Sequence, residues 1–202
     1  MLGNNKISAE EIIAVSGIEK EQNMFKTSMR KATIKIKENP YVAEVKITRN
    51  LDGVIDIHVT ERVATLMMQV DNEYVYINNQ GYILEISEIP LEIPILVGIK
   101  TADLNLGNRL EREDLIKLDT VIKIIAAASN NNIANLITTI DVSNNKEYIL
   151  NLETEQKVVH FGDDSKINQK ILWIVSILEQ EIGIPGEIFL ENVDKVVFRE
   201  KV

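Results

Sequence analysis

The sequence of 202 residues contains no cysteine. This absence excludes disulfide bonds, thiolate metal sites and a thiol nucleophile, but it leaves the cellular compartment open because oxidising and reducing compartments both accept such a chain. Apolar segments are short as well. The longest, 83–97, is interrupted by three glutamates and two prolines, well before the roughly 18 to 20 apolar residues that a membrane span needs. We therefore expect no segment of this sequence to cross a bilayer.

Positive charge is also scarce. Lysine and arginine number 22 against 31 aspartates and glutamates, which gives a formal net charge of −9. This balance argues against nucleic acid or anionic lipid as the main target of the protein. A hydrophobic content of 45% is nevertheless ordinary for a folded soluble protein. The length allows one large domain or two small ones.

The sequence lacks the common motifs of catalysis and metal binding, including a glycine-rich phosphate loop, HExxH and GxSxG. His58 and His160 each fall within a predicted strand, at positions that favour plain surface histidines. The segment 103–107 only faintly resembles a calcium loop, because its glycine comes fifth and not sixth. Asp163 and Asp164 precede a predicted helix, where capping explains them better than a metal pair does. We expect no catalytic residue, no metal and no cofactor.

The first 60 residues predict two helices followed by a hairpin. Ser8 and Glu11 have the spacing of a capping box, and the first helix should stop at Gly17. A second helix should begin at a cap at Asn23 and end before Pro40. Its apolar face consists of Phe25, Met29, Ala32 and Ile36. Alternating residues on both sides of a turn at 50–53 predict the hairpin, which completes a small α+β unit.

From Val63 onward the pattern predicts short strands and two more helices. The strands are expected at 64–70, 73–77, 82–86, 136–142, 147–152, 157–161, 187–191 and 195–201. The helices follow apolar stripes over 115–129 and 167–182. This favours a mostly antiparallel sheet with two packed helices. Trp173 lies off the main stripe of its helix, and we favour packing under a loop over an exposed anchor for a partner.

Several segments, taken in order, also follow the pattern of one protein family. They are Gly3 to Ser8, Ile12 to Gly17, Asn23 with Phe25, Asn39 to Val42, Glu61-Arg62, Tyr76 to Asn78 with Gly81, Ile93 to Gly98 and Val159 to Gly162. Together they resemble the FtsQ/DivIB family of bacterial cell-division proteins, and those up to residue 62 resemble its POTRA domain. Two departures are an asparagine at position 78, where aspartate is usual, and the lack of a proline after Arg62.

The resemblance implies a division of the chain into a POTRA-like domain at 1–62, with its first strand truncated or barely present, and a β domain at 63–202. It implies the extracytoplasmic part of a single-pass membrane protein of the division septum, anchored by an N-terminal helix upstream of this sequence. The implied role is a non-catalytic divisome scaffold that helps regulate septal peptidoglycan synthesis. Implied partners are FtsB-like and FtsL-like single-span proteins, with the septal wall synthase as a further candidate and no nucleic acid.

The resemblance also implies that the closing strand, 195–201, is the edge that receives a strand from the FtsB-like partner. The matching positions are Val196, Val197, Phe198 and Arg199. Alternation places the first and third on one face and the other two on the opposite face, and the sequence leaves open which face meets the partner. A proline at Val197 is expected to remove one N–H from this edge. The flanking charges fit equally well a final strand that is merely protected from aggregation.

Two other functions remain open from the sequence. One is a POTRA-type module that binds or transports polypeptides by strand addition. The other is a cell-wall hydrolase that uses two carboxylates, although no pair of acidic residues can be assigned to that role from the sequence alone.

Overall fold

The computed structural model describes residues 5–19, 27–144 and 146–201. That part of the chain contains the helices α1 (Ala9–Ser16), α2 (Met29–Lys37), α3 (Arg112–Asn130) and α4 (Ile167–Gln180), with a short 3-10 helix at Ala134–Leu136. The strands are β1 (Val42–Arg49), β2 (Ile55–Glu61), β3 (Ala64–Val70), β4 (Glu73–Asn78), β5 (Ile83–Ser87), β6 (Ile95–Val97), β7 (Thr139–Asn144), β8 (Glu147–Leu152), β9 (Lys157–Gly162), β10 (Gly186–Phe189) and β11 (Val197–Glu200). These elements confirm the predicted α+β class.

The first helix and the hairpin form where the local sequence predicts them. The Ser8 hydroxyl accepts a hydrogen bond from the Glu11 amide at 3.1 Å, as an N-cap should. The helix ends at Gly17, whose left-handed φ of 65° suits glycine. The strands β1 and β2 then pair antiparallel around the turn at 50–53 and form a separate two-stranded sheet.

The second helix has its N-cap at Ser28, whose hydroxyl accepts from an amide of the first turn at 3.4 Å. The predicted cap Asn23 and the apolar Phe25 lie outside the described residues. Ala32 and Ile36 are buried, which confirms that part of the predicted apolar stripe.

The remaining strands form one sheet in the order β11-β10-β9-β8-β7-β6-β3-β4-β5. Five of its neighbouring pairs are antiparallel, and three, β9 with β10, β6 with β7 and β3 with β6, are parallel. This confirms a mostly antiparallel sheet. Because β6 is inserted between β3 and β7, the segment after β5 must cross two strands to reach it. The Tyr76 hydroxyl holds that segment by donating to the Ile89 carbonyl.

The junction between β3 and β6, which we call the seam, is narrow. The pairing recorded there is one parallel bridge between Met67 and Ile95, with the Met67 amide donating to the Pro94 carbonyl at 3.1 Å. Every other neighbouring pair of this sheet shares at least three residue pairs. The seam is therefore the weakest lateral connection in the described sheet.

Both long helices pack on the same face of the nine-stranded sheet. Leu118 and Val121 of α3 and Ile171 and Ile174 of α4 are buried in its core. They face strand residues at alternate positions, which are Leu66, Val75, Leu96, Ile140, Leu150, Val159 and Ile188. Ile149, Val158, Glu187 and Arg199 of β8 to β11 lie on the opposite face and are half-buried or exposed, and we call this part of the sheet the open face. The two packed helices of the prediction are confirmed.

The N-terminal elements contact the large sheet directly. Leu84 of β5 is buried in the small hydrophobic cluster formed by α1, α2 and the hairpin. The Tyr41 hydroxyl donates to Glu85 Oε2 at 2.6 Å, and the Lys6 ammonium donates to the same carboxylate. Only two residues separate β2 from β3. These contacts favour a restricted range of angles between the two parts, while a domain boundary at residue 62 stays a prediction.

Candidate partner-binding edge

The strand β11 lies at one end of the nine-stranded sheet. It pairs antiparallel with β10, and Arg199 stands opposite Glu187 while Val197 stands opposite Phe189. No strand of the described residues pairs with its other side. Sheet edges of this kind can accept an added strand, because their outward N–H and C=O groups lack a neighbour.

The two faces of β11 differ in their exposure to solvent. Val196 and Phe198 are half-buried and pack against the main core. Val197 and Arg199 are exposed and lie on the open face. Phe198 lies over Gly186 of β10, where a Cβ atom would come within 2.5 Å of the aromatic ring. The outer pair is therefore the one that a visiting strand can contact through side chains.

The hydrogen-bond pattern also fixes which backbone groups of β11 point outward. The Lys201 amide donates to the Pro185 carbonyl at 2.9 Å, so these two residues form a hydrogen-bonded pair. Such pairs alternate along an antiparallel ladder, so Arg199 and Val197 also direct their N–H and C=O groups at β10. The outward groups belong to Phe198 and Glu200. The sequence-based choice of Val197 for removing an edge N–H was therefore wrong.

Four side chains from four successive strands form a stack on the open face beside this edge. The Arg199 guanidinium lies 5.0 Å from the centre of the Phe189 ring. Phe189 in turn stacks on His160 at 4.5 Å, with 7° between the rings. His160 Nδ1 is 3.0 Å from Glu147 Oε1. His160 is thus a paired and stacked side chain, which corrects its prediction as a plain surface histidine, whereas His58 is exposed as predicted.

The loop that leads into β11 is held by α4. The Trp173 indole donates from Nε1 to the Val193 carbonyl at 3.1 Å, and the Val193 side chain is buried. Within the loop, Asn192 accepts from the amides of Asp194 and Lys195 at 3.0 Å. Trp173 is 40% exposed, so the ring covers the loop without entering the core. The indole therefore bonds to the loop while staying exposed, and packing under a loop stays a prediction beside an exposed anchor.

Lys157 supports the start of β10 from within the core, and the sequence analysis missed this role. Its side chain is only 2% exposed. The ammonium donates to the carbonyls of Glu181 at 2.9 Å and Ile184 at 3.1 Å, which lie in the turn between α4 and β10. A third bond reaches the Glu155 carbonyl at 3.3 Å. Nothing in the sequence indicates that a lysine at the first position of a strand is buried.

The segment before α4 does not cap that helix as predicted. The N-cap position is Lys166, which has a left-handed φ of 52° and makes no side-chain cap bond. The Asp163 carboxylate instead accepts from Ser165 Oγ at 2.5 Å and from the buried Lys170 ammonium at 3.0 Å. The bond from Ser165 has the largest effect, and together these bonds lower the pKa of Asp163 to about 2. The aspartate neutralises a buried lysine, an interaction across seven residues that local sequence rules do not reveal.

The other candidate segments of the sequence have ordinary structural surroundings in the described residues. Asp103 accepts hydrogen bonds from its loop neighbours Asn105 and Asn108, as a plain polar loop would arrange them. Among residues 5–19, 27–144 and 146–201, no three His, Cys, Asp or Glu side chains are grouped so that they could hold a metal ion. None of the helices described here is long and apolar enough to span a bilayer.

Glu61 fastens the segment before α1 to the hairpin. Its carboxylate accepts from the amides of Asn5 at 2.9 Å, Lys6 at 2.7 Å and Ile7 at 3.1 Å. Burial raises the pKa of Glu61, but the three amide donors outweigh burial and the pKa lies below its usual value. The charged form is therefore the one that the folded state favours.

We expect Glu61→Gln to lower the melting temperature by about 2 to 4 °C at pH 7, because charge-assisted hydrogen bonds are lost at a cost of about 1 kcal/mol. A group with a lowered folded-state pKa contributes stability above its ordinary pKa and loses that contribution as the pH falls through the folded value. The difference between parent and variant should therefore shrink below pH 4.5. Thermal melts from pH 7 to pH 3 check this, with the exposed Glu44→Gln as control. A difference that stays constant over that range would contradict the proposed role of the charge.

Comparison with known proteins agrees with this architecture. A family model described as the FtsQ-type POTRA domain matches residues 1–62. The cell division protein DivIB of Clostridium tetani (strain Massachusetts / E88) is 29% identical over 187 residues, which cover 91% of this chain and 69% of the relative. DivIB of Clostridium botulinum (strain Hall) is also 29% identical, with 89% and 70% covered. The cell division protein FtsQ of Geobacter sp. (strain M21) is 22% identical, with 96% and 72% covered.

The matched segments therefore extend well beyond the N-terminal elements and include both sheets. Relatives under two names, DivIB and FtsQ, align over most of the chain, in accord with the motifs found in the sequence. The chain thus matches an FtsQ-type POTRA domain over residues 1–62 and is similar over most of its length to cell-division proteins named DivIB and FtsQ.

Proposed function

We propose that this chain acts as a non-catalytic scaffold of the division machinery and recruits its partners through the β11 edge. The expected partners are FtsB-like and FtsL-like single-span proteins, with the septal wall synthase as a further candidate. Through them the protein helps to regulate septal peptidoglycan synthesis. The proposal places these residues on the extracytoplasmic side of the cell membrane at the septum. Support comes from the division role of the relatives and from an accessible sheet edge in the chain.

The single observation that carries the proposal is the arrangement at β11. The outward N–H and C=O groups of Phe198 and Glu200 form a ladder that a partner strand can extend. On the same strand, the exposed side chains of Val197 and Arg199 lie on the open face, where they can distinguish one visiting strand from another. Gly186 and Phe198 hold the strand against the core from the opposite face. The edge thus combines a general backbone template with two specific contacts.

The variant Glu200→Pro tests this proposal. Proline removes an outward N–H, while the side chain of residue 200 is exposed and does not contribute to the core. The measurement is the affinity for the extracytoplasmic segment of the FtsB-like protein encoded in the same genome. We expect unchanged circular dichroism and binding weakened by about 5-fold to 100-fold, which corresponds to about 1 to 3 kcal/mol.

Two further variants serve as controls. Glu200→Ala keeps the N–H and should bind within about twofold of the parent, since an exposed side chain at an interface rim contributes little. Val197→Pro removes an inward bond to β10 and should lower the melting temperature as well as the affinity. If folded Glu200→Pro binds as tightly as the parent, the partner docks elsewhere. If unrelated extended peptides bind equally well, the chain is instead a general polypeptide-binding module.

A further inference from the structure

The charge of the chain is divided unevenly between its two parts. Residues 1–62 contain ten basic and nine acidic residues, whereas residues 63–202 contain twelve basic and twenty-two acidic residues. The net charge of −9 therefore comes from the β-rich part, whereas basic and acidic residues are almost equal in number in residues 1–62. A total charge excludes an anionic target only when the charges are evenly spread.

Within the N-terminal part, positive charge is concentrated on α2. The helix has four basic residues and no acidic residue between Met29 and Lys37, and all four are exposed: Arg30, Lys31, Lys35 and Lys37. None of them forms an ion pair with another described residue. We call this surface the basic face of α2.

An apolar residue occupies the centre of the basic face. At 100° per residue, Ile34 lies opposite the midpoint of Ala32 and Ile36, the buried residues that attach the helix to the core. Its side chain is 54% exposed. By the same geometry, one pair of cations flanks it on each side. Among the described residues, Ile34 packs in neither hydrophobic cluster, so the core does not account for an isoleucine at this position.

We propose that the basic face of α2 docks on a membrane surface that contains anionic lipid. Cationic side chains around an exposed apolar residue are the pattern of helices that lie in the headgroup region, where the charges contact lipid phosphates and the apolar side chain reaches the acyl boundary. The inference rests on the membrane location in the proposed function, because it needs a bilayer close to the N-terminal part.

The shape of the basic face favours a lipid surface over a small anion. The residues stand on the outside of a helix of nine residues, about 13 Å long, and do not converge on a common point. A site for a single phosphate needs donors that converge, whereas a bilayer presents many charges in a plane. An acidic protein segment is the alternative occupant, but it gains less than a bilayer from a central isoleucine.

The same charges would orient the molecule on the membrane. The β-rich part has ten more acidic than basic residues and would be repelled by anionic headgroups. Attraction at α2 and repulsion beyond β3 together turn the N-terminal part toward the lipid and the β-rich part away from it. Both effects act through charge, so binding should weaken steeply as salt is added.

The test uses the full chain and vesicles of equal parts phosphatidylglycerol and phosphatidylcholine, in a sedimentation assay at 50 mM salt. The test variant replaces Arg30, Lys31, Lys35 and Lys37 with glutamine. The control variant makes the same change in charge at four exposed lysines of the β-rich part: Lys100, Lys123, Lys146 and Lys195. We expect the test variant to bind at least about tenfold more weakly than the parent and the control variant to bind no more weakly, since each cation near an anionic surface contributes about fivefold.

Two further measurements sharpen the result. Ile34→Ser should weaken vesicle binding several-fold with no change in melting temperature, since the side chain is exposed. Vesicles of phosphatidylcholine alone should not bind the parent. The proposal is overturned if the parent does not sediment with the anionic vesicles, if the control variant loses as much binding as the test variant, or if soluble polyglutamate binds α2 while vesicles do not. Glu200→Pro should bind vesicles as the parent does. A failure of the lipid proposal therefore leaves the β11 edge proposal intact, and a failure of the β11 edge proposal does not change the vesicle result.

Discussion

Replacing Gly98 with alanine is expected to lower the free energy of unfolding by about 3 to 5 kcal/mol, which combines a left-handed backbone penalty with a steric clash. Gly98 follows β6 and has a φ of +89°. A Cβ atom there would lie 2.3 Å from the backbone nitrogen of Ser143 at the end of β7. Neither backbone can move away without disturbing the parallel pairing of β6 and β7. Urea denaturation of the parent and the variant measures the loss.

The matched control for this prediction is Gly53→Ala in the hairpin turn. Gly53 has a similar φ of +86°, but no atom lies within 4 Å of the position of its Cβ. This variant should lose only the backbone penalty, about 1 to 2 kcal/mol. If the two variants are equally destabilised, the approach of Gly98 to Ser143 is looser than described and the clash contributes nothing.

Replacing Lys157 with methionine is expected to lower the free energy of unfolding by about 2 to 4 kcal/mol, because half-buried carbonyl groups lose the donor that the buried ammonium supplies. Methionine fills a similar volume, so the loss reports the ammonium and not a cavity. The carbonyls of Glu181 and Ile184, in the half-buried turn before β10, would lose the bonds that Lys157 now supplies. Thermal and urea unfolding both measure this effect.

The control for the second prediction is Lys123→Met on α3. Lys123 is exposed and its ion pair within the described residues is with Asp119, so its replacement should change the stability by less than about 0.5 kcal/mol. Buried charged groups can sometimes be replaced by apolar ones without loss. If Lys157→Met is as stable as the parent, the turn before β10 must rearrange so that other donors bond the carbonyls of Glu181 and Ile184.

Much of the local structure was predictable because it depends on neighbouring residues. The Ser8 cap, the left-handed Gly17 and the alternation in β8 each follow from interactions within a few positions. The final strand was predictable for the same reason, and so was the alternation that divides its side chains between two faces. These are properties that a chain carries before it folds.

The details of the candidate edge depend on which strands become neighbours, and a single sequence does not state this. His160 and Phe189 stack because β9 and β10 pair in parallel with these two residues in register. The outward direction of Glu200 follows from a bond between Lys201 and Pro185. Lys157 finds two of its three carbonyl partners more than twenty residues away. Each depends on long-range pairing, which periodicity alone cannot supply.

The narrow seam between β3 and β6 has a mechanical consequence. The N-terminal elements attach at β5 and the candidate docking edge is β11, at the two ends of nine strands. With strands about 4.8 Å apart, some 40 Å of sheet separates the two ends. Tension between an anchored N-terminal part and a partner strand would run across the strands and would reach the single bridge between Met67 and Ile95. The sheet should yield there first, because this junction shares the fewest residue pairs of any in the described sheet.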